Sequence, residues 1–293
     1  MTPPQGALGI ERMCALTRVS RASYYRHWRR VEPGREQIAL RDVLQRLAIG
    51  HRHYGYRRLT ALLRRDGWAV NHKRVLRLMR TDNLLCLRRR AFVPATTDSR
   101  HGWRVVPNLA RGMEVTGLDQ LWVADITYLR LREEFAFLAV VLDAFSRRVV
   151  GWAVDVHLRA ALAIAALQMA LAARRPQPGQ LIHHSDRGVQ YACAEYSALL
   201  AAHGIQPSMS RVGSPYDNAK AESFMSTLKR EEVDGRDYRT AQEARRSIGS
   251  FIEEVYNRQR LHSALSYVTP ADFEAAFVPA VVTRRSAHAV SRG

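Results

Sequence analysis

The chain has 293 residues, 47% of them hydrophobic and 25% charged, which suits a soluble globular protein of two or three domains. No apolar run is long enough for a bilayer, the opening MTPPQGALGIERMC does not read as a secretion signal, and Cys14, Cys86 and Cys193 lie too far apart for a disulfide framework or a cysteine zinc site; the expectation is a cytoplasmic protein with no membrane contact. The formal net charge is +18, and residues 1–112 hold 24 of the 45 Lys+Arg but only 7 of the 27 Asp+Glu, a net of +17. Arg supplies most of it, and its planar fork matches phosphate, so the first third of the chain is expected to meet a polyanion.

Along the chain, ERMCALTRVSRASYYRHWRR reads as two short helices with a break near Val19 and Ser20, the latter placed as an N-cap. EQIALRDVLQRLAIGH has helical apolar spacing. YGYRRLTALLRRDGWAVNHKRVLRLMRTDNLL gives two more helices, with Asp66-Gly67 ending one and Asn71 capping the next. In the last helix Val75, Leu76, Leu78 and Met79 point inward, and Lys73, Arg74, Arg77 and Arg80 outward. That is the form of a recognition helix in a major groove, and with Arg57 and Arg58 these four are the expected DNA contacts. His51, His53 and His72 lie among these cations and read as phosphate or solvent contacts rather than metal ligands. From Arg88 to Ala110 the pattern is that of a basic linker.

From Gln120 the pattern turns to strands. LWVADITYLRL, FAFLAVVLDAFS and RRVVGWAVDV are close enough to form an antiparallel meander. RAALAIAALQMALAARR is an Ala-rich helix, GQLIHHSD a buried strand, CAEYSALLAAHG a helix ended by Gly204, and IQPSMS a fifth strand. RVGSPYDNA reads as a loop, KAESFMSTLKREEV as a helix, and TAQEARRSIGSFIEEVYNRQRLHSAL as a long helical region. The expected fold is α/β: a mixed five-stranded sheet flanked by helices, preceded by an all-α helix-turn-helix region. The expected divisions are a helix-turn-helix-like segment at 1–33, a helical DNA-binding domain at 34–95, a basic linker at 96–114, a catalytic core at 115–278 and a tail at 279–293.

Three acids on separate elements carry the chemistry. Asp125 is mid-strand among apolar residues, Asp186 ends a second strand, and Glu222 opens a helix, with 35 residues between the last two. Each alone reads as a turn, strand-end or capping acid. Together they bring hard oxygen donors to one point, the ligand type that Mg²⁺ prefers. Two such ions, about 3.5–4 Å apart, can clamp an in-line phosphoryl displacement. Asp143 and Asp217 read as structural.

The stretches VSRASYYR, YGYRRL, LWVADITY, LDAFSRRVVGW, HSDRGVQY, SPYDNAKAESF and YNRQRLHSAL, from Val19 to Leu265, resemble the DDE recombinases of the retroviral integrase superfamily, which share a ribonuclease H-like core. The closer resemblance is to transposases of bacterial insertion sequences encoded in two overlapping frames, in particular the downstream-frame (OrfB-type) product. The resemblance implies that Asp125, Asp186 and Glu222 bind Mg²⁺, with Mn²⁺ as a substitute, and catalyse cleavage and strand transfer at element ends. It also implies that Lys229 meets a phosphate near the site, and that Tyr216 and Asn218 touch DNA. It gives Arg258 and His262 no derivable role. Implied partners are terminal and target DNA, further copies of the chain in a synaptic complex, and an upstream-frame (OrfA-type) protein. A DNA-binding repressor with an inactive core is the alternative reading, and a simple nuclease a third.

Overall fold

The computed structural model describes residues 9–28, 35–85, 106–211 and 215–277. Cys86, Arg88 to Arg90, most of the expected linker and the 279–293 tail fall outside these residues. The chain divides into two compact units, Met1–Leu85 and Cys86–Gly293.

In the first unit, α1 (Ile10–Thr17) and α2 (Arg21–Trp28) are separated at Val19-Ser20, and the Ser23 N–H donates to Ser20 Oγ at 3.1 Å, the expected cap. Helices α3 (Arg35–Gly50), α4 (Tyr56–Arg65) and α5 (His72–Thr81) bury Leu40, Leu44, Leu59, Leu63, Val75 and Met79 between them. Gly67, at φ +87°, ends α4 as the sequence requires, and Asn71 caps α5 by accepting from Lys73 N at 2.8 Å. Arg41 holds Asp82 through two bonds of 3.0 and 2.6 Å, tying α3 to the end of α5.

The second unit is a five-stranded sheet ordered β3-β2-β1-β4-β5. β1 (Leu121–Arg130), β2 (Phe135–Asp143) and β3 (Val149–Asp155) form the expected antiparallel meander, whereas β4 (Ile182–Ser185) and β5 (Gln206–Met209) add in parallel. Alternation along β1 divides the core between two faces. Leu121 and Val123 pack with α9 (Ala219–Leu228) and α10 (Ala241–Ser250). Trp122 and Ala124 pack with α6 (Ala160–Arg174), the short α7 (Val189–Ala192) and α8 (Ala194–Ala202). Ala163, Ala166 and Ala170 explain the Ala-rich sequence of α6, since they let it close on β3. A Cβ at Gly151 would lie 2.2 Å from the Ala166 carbonyl oxygen.

Three features differ from the sequence reading. The stretch from Val106 is already anchored to the core, through a 2.8 Å bond from Leu109 N to Ser208 Oγ and the packing of Ala110, Met113 and Val115. The expected loop before Glu222 contains a 3₁₀ turn, Pro215–Asn218. The long C-terminal helical region is broken: α10 widens into a π turn at Phe251–Tyr256, a short 3₁₀ turn follows at Ser263–Leu265, and α-helix resumes over 270–277. The break coincides with Asn257, whose side chain accepts from Val149 N and donates to Val149 O, both at 3.0 Å, in place of continuing the helix.

Candidate active site

Strand register is what brings the first two acids together. Leu121 pairs with Ile182, Trp122 with His183 and Val123 with His184, a constant offset of 61. Carried two residues beyond the last pair, the same offset directs Asp125 toward Asp186, the residue that follows β4. Asp186 lies just past the end of β4, where Gly188 N donates to its Oδ1 at 3.0 Å. Asp125 remains within β1, half-buried, and accepts from Ile126 N at 2.9 Å.

Glu222 comes from the other side. It is exposed in the first turn of α9, whose Ala221, Phe224, Met225 and Leu228 are buried against the sheet. Asn218, directly before α9, donates from Nδ2 to the Ala124 carbonyl at 3.0 Å. This bond pins the start of α9 to the residue beside Asp125. Asn218 is therefore buried and its amide nitrogen engaged inside the protein, a placement that suits a tether between elements better than the expected DNA contact. The Tyr216 side chain lies outside the described part of the structure.

The electrostatics follow from this crowding. Burial first, and then Asp186, push the Asp125 carboxyl up to about 7; Glu222 adds to the rise, while the Ile126 bond and Lys229 oppose it. Burial also raises Glu222. Lys229 begins a π turn, Lys229–Val233, that continues α9. Burial lowers its pKa against the pull of Asp125 and Asp234, and its Nζ sits 4.5 Å from the Tyr128 ring centre. Asp125 thus feels Asp186, Glu222 and Lys229, yet among the described residues no three His, Cys, Asp or Glu side chains already stand together as a ligand set. The donor set fits a hard divalent ion on two observations: Asp186 and Glu222 both raise the proton affinity of the buried Asp125, and Asn218 Oδ1, at the start of α9, is a buried acceptor without a partner.

The other candidates are structural. Asp143 is fully buried and accepts from the backbone of Asp119, Phe145 and Ser146 at 2.7–3.0 Å, closing the turn after β2. Asp217 accepts from Arg211 Nε at 3.2 Å and from its backbone N at 3.1 Å. His183, driven down to about 3 by burial and by His184, shares a 3.0 Å bond with Tyr196, and His184 bridges Ser208 and Ser210. In the C-terminal motif Arg258 is exposed. His262 is buried edge-on to Tyr256, with centroids 4.9 Å apart. The sequence reading missed the residues around them: Arg260 is buried in a two-bond pair with Glu231, at 3.0 and 2.9 Å, and with Asn257 it locks the C-terminal helices to the core. Tyr256 and Leu261, apolar residues that bracket the polar run from Asn257 to Arg260, were the available signal.

In the first unit Arg57, Lys73, Arg77 and Arg80 are exposed. Arg58 is half-buried over the Tyr54 ring, and half-buried Arg74 lies 3.9 Å from Glu36.

Residues 116–215 and 203–270 each match a family described as Integrase core domain, and residues 35–92 one described as HTH-like domain. The chain is 38% identical to "Transposase InsF for insertion sequence IS3A" of Escherichia coli (strain K12), over 92% of this chain and 95% of that protein. The chain belongs to the IS3-family transposases. It is likewise 38% identical to the "Insertion element IS600 uncharacterized 31 kDa protein" of Shigella sonnei, over 89% of this chain and 97% of that one. Among solved structures, a chain of a simian T-cell lymphotropic virus intasome overlaps 78% of it and 73% of that chain, at 16% identity and a TM-score of 0.46. As a member of this family the chain is an enzyme of the transposase and integrase class, with an integrase core domain and a helix-turn-helix-like region before it.

Proposed function

We propose that Asp125, Asp186 and Glu222 form the catalytic centre of this transposase and hold divalent metal ions, Mg²⁺ or Mn²⁺, for cutting and joining DNA at insertion-sequence ends. The observation that carries the reading is the parallel register of β1 and β4, whose extension by two residues meets Asp125 with Asp186, with α9 pinned beside Asp125 through Asn218. When bound, the ions supply the positive charge that gathers the attacking, bridging and leaving oxygens of a phosphodiester. Asp125 and Asp186 form the fixed half of the ligand set, because one sits within β1 and the other directly follows β4, its parallel neighbour. Glu222 forms the adjustable half, on an exposed first helical turn. Lys229 meets a neighbouring phosphate.

Two displacements follow. Water opens the phosphodiester at the element end and releases a 3′-hydroxyl; that hydroxyl then attacks a target phosphate, and one P–O bond forms as another breaks. No covalent link to the protein is needed, and among the residues assigned here none acts as a nucleophile.

The basic face of α4 and α5, with Arg57, Lys73, Arg77 and Arg80 outward, holds DNA within a helical domain at 34–95, after a helix-turn-helix-like segment at 1–33. Residues 115–278 act as the catalytic domain, before a tail at 279–293; of the linker expected at 96–114, the part from Val106 packs on that domain. Two ends must be cut together, so copies of the chain assemble on DNA, with an upstream-frame protein as a further partner. The place of action is the cytoplasm, at the nucleoid; among the described residues no helix is long and apolar enough to cross a membrane.

The test is an assay with Mg²⁺ on DNA bearing the element's ends, run with and without the upstream-frame protein. Asp186→Asn is expected to bind DNA like the wild type and to join none of it. Full joining by that variant refutes the assignment; a wild type that binds the ends but neither cuts nor joins them, even with the partner present, favours a repressor.

A further inference from the structure

Tyr191 lies on α7, only 3% exposed, with its ring packed against Tyr196 and His183 at centroid distances of 5.4 and 6.4 Å. Tyr196 and His183 satisfy one another. The Tyr191 hydroxyl does not share in that bond: it is buried and has no hydrogen-bond partner among the described residues. Such an orphan destabilises the fold, and a phenylalanine would fill the same space without it. Its backbone joins it to the proposed site. Tyr191 N donates to Gly188 O at 3.0 Å, and Gly188 N donates to Asp186 Oδ1 at 3.0 Å, so Asp186 and Tyr191 close one short hydrogen-bonded turn. A Cβ at Gly188 would lie 3.0 Å from Asp186 Oδ1, which leaves little room there for any side chain but the carboxylate. Burial and then Tyr196 raise the phenol's pKa well above its usual value, and Asp186 and Asp125 are close enough to add to the rise. The phenol is thus a donor without an acceptor, carried on the same turn as the Asp186 carboxylate.

We propose that Tyr191 is a positioning residue of the active site, whose phenol donates a hydrogen bond to the Asp186 carboxylate when that carboxylate turns to share a divalent ion with Asp125. The proposal rests on the reading of Asp125 and Asp186 as the ion-holding pair. It accounts for a tyrosine where packing alone asks only for an aromatic ring, since the oxygen gains its partner in the ion-loaded protein.

The test is Mn²⁺ binding to the full chain, followed by the electron paramagnetic resonance of the free ion, for wild type, Tyr191→Phe and Asp186→Asn. Tyr191→Phe is expected to bind Mn²⁺ about tenfold more weakly, the effect typical of losing a partner behind a metal ligand. Without metal it melts at the same temperature as wild type or higher. Its strand joining returns toward the wild-type level as Mn²⁺ is raised to saturation. Asp186→Asn is expected to lose the ion. If Asp186→Asn loses the ion but Tyr191→Phe keeps wild-type affinity, the role of Tyr191 is overturned and the metal site stands. A lower metal-free melting temperature for Tyr191→Phe overturns it as well, because the oxygen would then serve the fold itself. Undiminished binding by Asp186→Asn overturns the metal-site reading beneath the proposal.

Discussion

A carboxyl that holds its proton up to about pH 7 destabilises the fold that contains it once the solution is more basic. Asp125 binds a proton in the folded chain at pH values where the unfolded chain has released it. Stability without metal therefore declines as pH rises from about 4 to 7, and above 7 the loss is complete. Asp125→Asn removes this cost. At pH 8 in a chelator the variant is expected to be more stable than wild type by on the order of 1–3 kcal/mol, several degrees in melting temperature. Adding Mg²⁺ should raise the melting point of wild type but not of the variant. Equal melting curves with and without Mg²⁺ for both proteins would count against a shared ion at this position. The acids themselves were legible in the sequence because a strand centre among apolar residues is an unusual place for a carboxylate. What Asn218 does was not. Its motif pointed outward to DNA, and only the folded register shows its amide spent on the Ala124 carbonyl.

At the level of elements, the site depends on two joints. One is the Asn218 bond that fixes α9 against β1. Asn218→Ala removes it and leaves Glu222 on an unpinned first turn. Strand joining is expected to fall by about ten- to a hundredfold, on the order of 1–3 kcal/mol in the barrier, while the melting temperature shifts by only a few degrees. Wild-type joining in that variant would show that the tether is dispensable. The other is the contact of β3 with α6 at Gly151, where a methyl group would meet the Ala166 carbonyl. Gly151→Ala is expected to cost about 3 kcal/mol or to prevent folding, as read by circular dichroism melting. Strands and most helices could be read from periodicity, because each buries one regular face. Two things could not. α7 is too short to show a period, and the end of α10 is set by the distant clamp of Asn257 on Val149.

For the molecule as a whole, charge separates the two tasks. Residues 1–112 carry a net charge of +17 and the remainder +1, so in the proposed reading the first third meets phosphates and the remainder holds the metal-binding carboxylates. Replacing Lys73, Arg77 and Arg80 together by Ala should weaken DNA binding across sequences and reduce the salt dependence of the binding constant by about two to three units in log–log slope, measured by fluorescence anisotropy. Arg58 and Arg74, engaged with Tyr54 and Glu36, should matter less. This division was plain from composition alone, since it needs no contact to be known. The gathering of the carboxylates is different in kind: it depends on β4 adding in parallel beside β1, a pairing between residues some 60 positions apart that local sequence does not encode.

The most direct measurement is anomalous diffraction at the manganese edge from crystals of the chain grown with Mn²⁺. The expected result is a peak bonded to oxygens of both Asp125 and Asp186, with Glu222 turned in toward it. Mn²⁺ bound only elsewhere, with Asp125 and Asp186 bare at a concentration that supports strand joining, would contradict the assignment.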